Sequence, residues 1–253
     1  MVAIIVSCVL GAAALLSFLI NFNKKRTVMG VFNKMTVSIF FIAVAFFGVM
    51  KNLLPVQGVY NGCDVEVVKY GILILVGLVF GMLGDIYLDQ KWVYPDDNDK
   101  YLYAGFITFG IGHIFYVTAL TVKAGLNFKN LLVAAAIGLV VAVVNLGLEK
   151  LTKQNYGKFR PIVTLYTFLV TLTPATALVA SVVTASSGNA LPFIVFTVGG
   201  VLFLLSDIIL SPMYFKEGQN TPLNFVLNHV TYYLGQYIFA LTIVLFPAFD
   251  VMP

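Results

Sequence analysis

Charge is what this sequence has least of. Asp, Glu, Lys and Arg make up 10% of its 253 residues, where a soluble domain needs about 25% to dress its surface. A chain this short of charge, 60% hydrophobic and with a mean hydropathy of +0.96, is solvated by lipid. Histidine and cysteine are scarce too, at two residues each. Cys8 falls in an apolar run and Cys63 in a connection, which gives neither a disulfide framework nor a metal-ligand spacing. A zinc hydrolase needs at least three ligands, and no spacing here asks for them, so neither a metal nor a cofactor is expected. No G-x-S-x-G elbow is present, which excludes the common serine-hydrolase arrangement. The acidic run Asp96-Asp97-Asn98-Asp99 lacks the ligands that complete an EF-hand and reads as a solvated loop.

What is there is long uncharged runs. Eight fall at 3–20, 35–54, 70–89, 101–121, 130–147, 161–183, 192–212 and 223–247, each near the 20 or so residues a helix needs to cross the hydrocarbon. They are continuously apolar without a strict period of two, so helices are expected and not a barrel. The fold class read from this is all-α, a single polytopic membrane bundle of about eight helices.

The basic residues orient it. Lys24, Lys25, Arg26, Lys34, Lys91, Lys100, Lys150, Lys153, Lys158, Arg160 and Lys216 follow odd-numbered spans, eleven of the fifteen Lys and Arg. The positive-inside rule puts those loops in the cytoplasm and both termini on the opposite side. The charges are scattered over separate loops and form no basic stripe, so no nucleic-acid partner is implied. Nothing in the sequence specifies an oligomeric state.

Residues 75–89 (LVGLVFGMLGDIYLD) and 197–211 (TVGGVLFLLSDIILS) match without gaps at seven of fifteen positions, and the match pairs Asp85 with Asp207. The next spans continue it: Phe109-Gly110-Ile111-Gly112-His113 lies against Tyr232-Tyr233-Leu234-Gly235-Gln236. Both pairs run the same way, so the reading is two parallel four-helix repeats around one cavity.

A carboxylate inside the hydrocarbon is expensive and usually functional. Asp85 and Asp207 stand at similar depth near the cytoplasmic ends of their spans. Asp89, beside Gln90 and Lys91, reads as interfacial and solvated. His113, in mid-span, either ties two helices together or acts directly. His229, Tyr233 and Gln236 share a helix face that should point inward, and Tyr166 either reaches the same cavity or sits in the core. Gly77, Gly81 and Gly84 read as close helix packing.

Four motifs in order carry a resemblance. They are Val76-Gly77-Leu78-Val79-Phe80 leading to Gly84-Asp85, Gly112-His113-Ile114-Phe115-Tyr116, Phe203-Leu204-Leu205-Ser206-Asp207, and Tyr232-Tyr233-Leu234-Gly235-Gln236. With them the chain resembles the YhhN family of membrane proteins, whose characterised members are lysoplasmalogenases. Asp89 with its acidic loop, and Ser211-Pro212 where the family continues as helix, depart from the pattern.

The resemblance implies a lysophospholipid substrate, a lysoplasmalogen, whose vinyl ether is hydrolysed to a fatty aldehyde and glycerophospho-ethanolamine or -choline. That chemistry wants one protonated and one ionised carboxyl group, the logic of the glycosidase carboxylate pairs. Asp85 and Asp207 are the catalytic candidates, and His113, Tyr166, His229, Tyr233 and Gln236 would bind substrate or water. A proton-coupled transporter is the first alternative, since buried aspartates on parallel repeats suit it too. A membrane hydrolase of another lipid is the second.

Overall fold

The computed structural model describes residues 1–21, 27–53 and 65–246. Lys24, Lys25, Arg26 and Cys63 lie outside them. Eight helices follow one another: α1 Val2–Ile20, α2 Val28–Leu53, α3 Val65–Val93, α4 Asn98–Ala124, α5 Phe128–Leu151, α6 Arg160–Val183, α7 Ala190–Phe215 and α8 Pro222–Thr242. The described residues contain no strand.

Seven of these helices are long and apolar enough to cross a membrane, and α8 is the exception. Its 21 residues carry Asn224, Asn228, His229, Tyr232, Tyr233 and Gln236, which dilute its hydropathy. All of these but Asn224 are buried inside the bundle. The stripe expected to point inward does so.

Two helix boundaries differ from the sequence reading in ways that matter. Helix α2 begins at Val28, seven residues earlier than expected, because the apolar run Val28–Phe32 continues the helix back past Lys34. Helix α7 continues through Pro212 to Phe215 where the Ser211-Pro212 pair raised the prospect of a break.

The duplication is visible in how the helices meet. The most extensive pairings are α3 with α4 and α7 with α8. Within each half, α1 packs on α2 and α2 on α3, as α5 packs on α6 and α6 on α7; between halves, α4 packs on α6 and α8 on α2. The crossings repeat in atomic detail. A Cβ at Gly112 would lie 2.9 Å from the Gly77 carbonyl oxygen, and one at Gly235 would lie 2.8 Å from that of Gly199. Gly77 also abuts the Tyr116 ring, and Gly199 abuts Phe239. These are the pairs the sequence repeat aligns, and each lets two backbones approach as only glycine permits.

Short connections place the ends of α1, α3, α5 and α7 and the starts of α2, α4, α6 and α8 at one end of the bundle, the odd-loop end. The acidic run there is partly built in. Pro95–Asp97 forms a single 3-10 turn, Asp97 pairs with Lys100 at 2.6 Å, and Asp99 pairs with Lys158.

Candidate functional site

Asp85 lies eight residues before the end of α3, and Asp207 eight before the end of α7. At 1.5 Å per residue both are about 12 Å below the odd-loop end. Lys34 and Tyr166 stand six residues into α2 and α6, about 9 Å deep by the same rise. His229 is seven residues into α8. Five polar side chains from five helices thus share one layer.

They border a cleft of about 610 Å3, lined by Lys34, Asp85, Asp89, Asp207, His229 and Tyr232 with aromatic and aliphatic neighbours. The cleft brings both sequence-predicted aspartates and His229 together. Tyr166 reaches it by donating a 2.7 Å hydrogen bond to Asp207 Oδ2.

The two aspartates have unlike surroundings. Asp85 Oδ2 accepts from Ser38 Oγ at 2.8 Å and from Tyr232 Oη at 2.9 Å, and its Oδ1 lies 3.3 Å from Lys34 Nζ. Lys34 Nζ also donates to Asp89 Oδ1 at 3.1 Å. Asp207 accepts from the Tyr166 hydroxyl, and among the described residues no cation forms an ion pair with it. A buried carboxylate needs compensating charge and donors, and Asp85 has both.

This revises two readings. Lys34 was counted with the loop cations; it is 5% exposed and ion-paired inside the bundle. Asp89 was read as solvated; it is 7% exposed and shares the same lysine. Lys91 is also buried, with Nζ 2.9 Å from the centre of the Tyr214 ring.

The other predicted residues lie away from the cleft. Gln236 is fully buried and relays between tyrosines: Tyr116 Oη donates to its Oε1 at 3.0 Å, and its Nε2 donates to Tyr232 Oη at 3.0 Å. The chain Tyr116–Gln236–Tyr232 ends on Asp85. Gly81 makes room for it, since a Cβ there would come 2.6 Å from Gln236 Nε2. Tyr233 Oη donates to the Lys34 carbonyl oxygen at 3.2 Å, tying α8 to α2.

His113 sits 2.8 Å from Thr173 Oγ1, and that hydroxyl itself donates to the Leu169 carbonyl. Nδ1 is therefore the protonated nitrogen. Among the described residues Nε2 has no hydrogen-bond partner, and the ring packs edge-on against Phe203, Tyr116 and Tyr166. His229 Nδ1 donates to the Phe225 carbonyl at 2.8 Å.

Sequence reasoning missed Lys34, Ser38, Tyr232 and Asp89. A signal existed for the first two. Lys34 and Ser38 stand one helical turn apart with an apolar stretch on each side, the pattern of a polar ridge facing inward. Among the described residues, no group of three His, Cys, Asp or Glu side chains is placed to hold a metal ion.

Comparison with protein families matches residues 59–243 to the YhhN family. The chain belongs to that family. The match covers both aspartates and the full Tyr116–Gln236–Tyr232 chain, whereas Lys34 and Ser38 precede it. No curated protein and no solved structure matches the chain.

Proposed function

We propose that this member of the YhhN family is a lysoplasmalogenase-like hydrolase, cleaving the vinyl ether of a lysoplasmalogen with Asp207 as general acid and Asp85 as the ionised partner. The observation that carries the assignment is the contrast between the two carboxyl groups, one beside a lysine and two hydroxyls, the other beside a single tyrosine.

Asp207 gives its proton to the alkene carbon remote from the ether oxygen. The adjoining carbon becomes an oxocarbenium ion, faced by the negative charge of Asp85. Water adds to that carbon and passes a proton to Asp85. The hemiacetal then collapses: its hydroxyl proton returns to Asp207, and the departing glycerol oxygen takes the proton held by Asp85. Both carboxyl groups end as they began, and water has been added across the ether. The fatty aldehyde and the glycerophospho-ethanolamine or -choline leave separately. Lys34 keeps Asp85 charged, and Tyr166 bonds one oxygen of Asp207 so that the other, Oδ1, faces the alkene. The odd-loop end, with its excess of basic residues, faces the cytoplasm.

The test is aldehyde release from a lysoplasmalogen by the purified protein in detergent, beside Asp85→Asn and Asp207→Asn. General acid–base groups contribute about a hundredfold or more, so both variants should lose activity by at least that factor while remaining folded. Full activity in either would sink the pair.

A proton-coupled carrier is the second reading. The hydrogen-bonded chain from Tyr116 through Gln236 and Tyr232 to Asp85 is the observation that favours it, because it links the middle of the bundle to a buried carboxylate. Wild-type protein that releases no aldehyde, yet acidifies liposomes on substrate addition, would select that reading.

A further inference from the structure

At the odd-loop end the polar cleft adjoins two hollows, with room for water of about 380 Å3 and 350 Å3. Trp92, Met213 and Tyr214 border the cleft and both hollows. Trp92 and Tyr214 each stand one residue before the end of a helix, α3 and α7. The hollows therefore form one vestibule at the level of the bilayer surface, with the carboxyl groups below it.

Charge changes sign between the two levels. The cleft is bordered by Asp85, Asp89 and Asp207 with the single lysine Lys34. With Asp207 protonated, two carboxylates still face one ammonium there. The vestibule is bordered by Lys91, Lys158 and Lys216 with the single carboxylate Glu217. An anion is repelled by the lower level and attracted to the upper one.

Lys91 is the buried cation of the upper level, two residues before the end of α3. Its Nζ lies 2.9 Å from the centre of the Tyr214 ring and 4.7 Å from that of Trp92. Ring faces attract a cation, but they replace only part of the hydration that burial removes. Among the described residues no ion pair joins Lys91 to a carboxylate. Asp89, two residues earlier, pairs with Lys34, and Asp99 pairs with Lys158. Lys216, farther out, donates from Nζ to the Thr152 carbonyl at 2.9 Å, and among the described residues it too has no carboxylate partner.

We propose that Lys91, with Lys216 at the outer edge, binds the phosphate of a lysophospholipid head in this vestibule. The inference rests on the polar cleft being the reaction site, and it assigns the residue that sets how deep the lipid descends. Six bonds separate the vinyl carbon on the ether oxygen from the phosphorus, about 7 Å when extended. Asp85 and Lys91 are six residues apart on α3, about 9 Å by the helical rise. A helical side chain leans toward the N-terminus of its helix. For α3 that direction is down into the bundle, which shortens the gap. A phosphate held at Lys91 thus leaves the reacting carbon at the level of the two aspartates, while the phosphate itself stays near the surface. A neutral lipid with the same chain offers Lys91 nothing to hold.

Trp92 is the chain's single tryptophan, so its emission reports on the vestibule directly. The full chain in phosphate-free maltoside micelles is titrated with a lysophosphatidylethanolamine whose chain is ester-linked, leaving no vinyl ether to hydrolyse. Monoacylglycerol of the same chain and inorganic phosphate are titrated beside it. The expected result is a saturable change in Trp92 emission, with the phospholipid binding about tenfold or more tighter than monoacylglycerol, as a hydrogen bond to a charged group implies. Lys91→Met should abolish that difference, Lys91→Arg should keep most of it, and Lys216→Met should reduce it less than Lys91→Met.

Equal affinity for the phospholipid and monoacylglycerol overturns the proposal. So does a folded Lys91→Met that keeps the difference; the wild-type comparison decides alone where that variant does not fold. Inorganic phosphate binding as tightly as the lipid would make this a free-phosphate site and overturn the assignment to a lipid head. Phosphate-dependent binding with no aldehyde released from a lysoplasmalogen would leave the site standing and remove the hydrolase reading. Aldehyde release with no phosphate preference at Trp92 would do the reverse.

Discussion

Lys34 and Tyr166 occupy equivalent places in the two halves of the bundle, each six residues into its helix and each bonded to the aspartate of the helix that follows. The repeat supplies two copies of one frame, and these two positions make the copies chemically different. An ammonium beside Asp85 favours its anion. A phenol beside Asp207 bonds either form. Paired carboxyl groups serve acid/base chemistry when their surroundings set them apart, and here the difference is made by one residue in each half.

The ion pair should dominate the local stability. Removing one partner of a buried pair strands the other and costs about 3–5 kcal/mol. Lys34→Met is therefore expected to lower the thermal midpoint of the detergent-solubilised protein sharply, since it removes the cation that Asp85 and Asp89 share. Lys34→Met combined with Asp85→Asn should be less destabilised than Lys34→Met alone. Strictly additive losses would mean that the lysine and the aspartate do not interact as their 3.3 Å separation implies.

Tyr166→Phe removes the hydrogen bond to Asp207 and nothing else of size, because the ring remains packed against Phe106. A hydrogen bond to the carboxylate that Asp207 becomes as it gives up its proton contributes about 1.5–3 kcal/mol. The expected outcome is a drop in kcat of roughly ten- to a hundredfold, with KM and the melting temperature little changed. A loss seen only in KM would place Tyr166 on the substrate and not on the acid.

The glycine crossings give a matched pair of tests. In Gly112→Ala and Gly235→Ala the added methyl meets backbone oxygen, at 2.9 Å and 2.8 Å respectively. A carbonyl cannot swing aside as a side chain can, so each substitution should cost about 1–3 kcal/mol by forcing two helices apart. Gly147→Ala is the control: it lies in α5 with nothing within 4 Å of its added carbon, and alanine there should be neutral or up to about 1 kcal/mol stabilising. Unequal effects at Gly112 and Gly235 would argue that the halves do not share one packing scheme.

Helix number, the repeat and the depth of both aspartates are legible in the sequence because each is a local property: an apolar run, a recurring string, a charge at a fixed distance from a helix end. Partners are not. Lys34 and Asp85 are 51 residues apart in the chain, and the Lys24-Lys25-Arg26 run drew the expected start of the second span past Lys34. Asp89 was misplaced for a related reason, since Gln90 and Lys91 imitate an interface while the fold folds Lys91 onto Tyr214. Gln236 and His113 were located correctly inside their helices, and His113 tied to a neighbouring helix, one of its two readings. Their roles turn on side-chain direction, which periodicity resolves only to a face.

That direction gives the last prediction. Tyr116, Gln236 and Tyr232 form a line of donors, each bond 2.9–3.0 Å, that ends on Asp85 Oδ2. If the line serves to hold Asp85 in place, the loss of kcat should fall with distance from the carboxylate: Tyr232→Phe worst, Gln236→Leu milder, Tyr116→Phe mildest. Stability should not follow that order. Gln236→Leu leaves Tyr116 without its acceptor, and an unsatisfied buried polar group costs about 1–3 kcal/mol. Tyr232→Phe leaves Gln236 Nε2 without its acceptor and Asp85 with its lysine and serine, so it should be destabilised about as much as Gln236→Leu while being the slower enzyme. Measuring kcat and thermal midpoint on the same three preparations separates the two roles. Activity losses that simply track the midpoints would reduce the chain to packing, and a slower Tyr232→Phe at a midpoint equal to that of Gln236→Leu would make Tyr232 a positioning residue for Asp85.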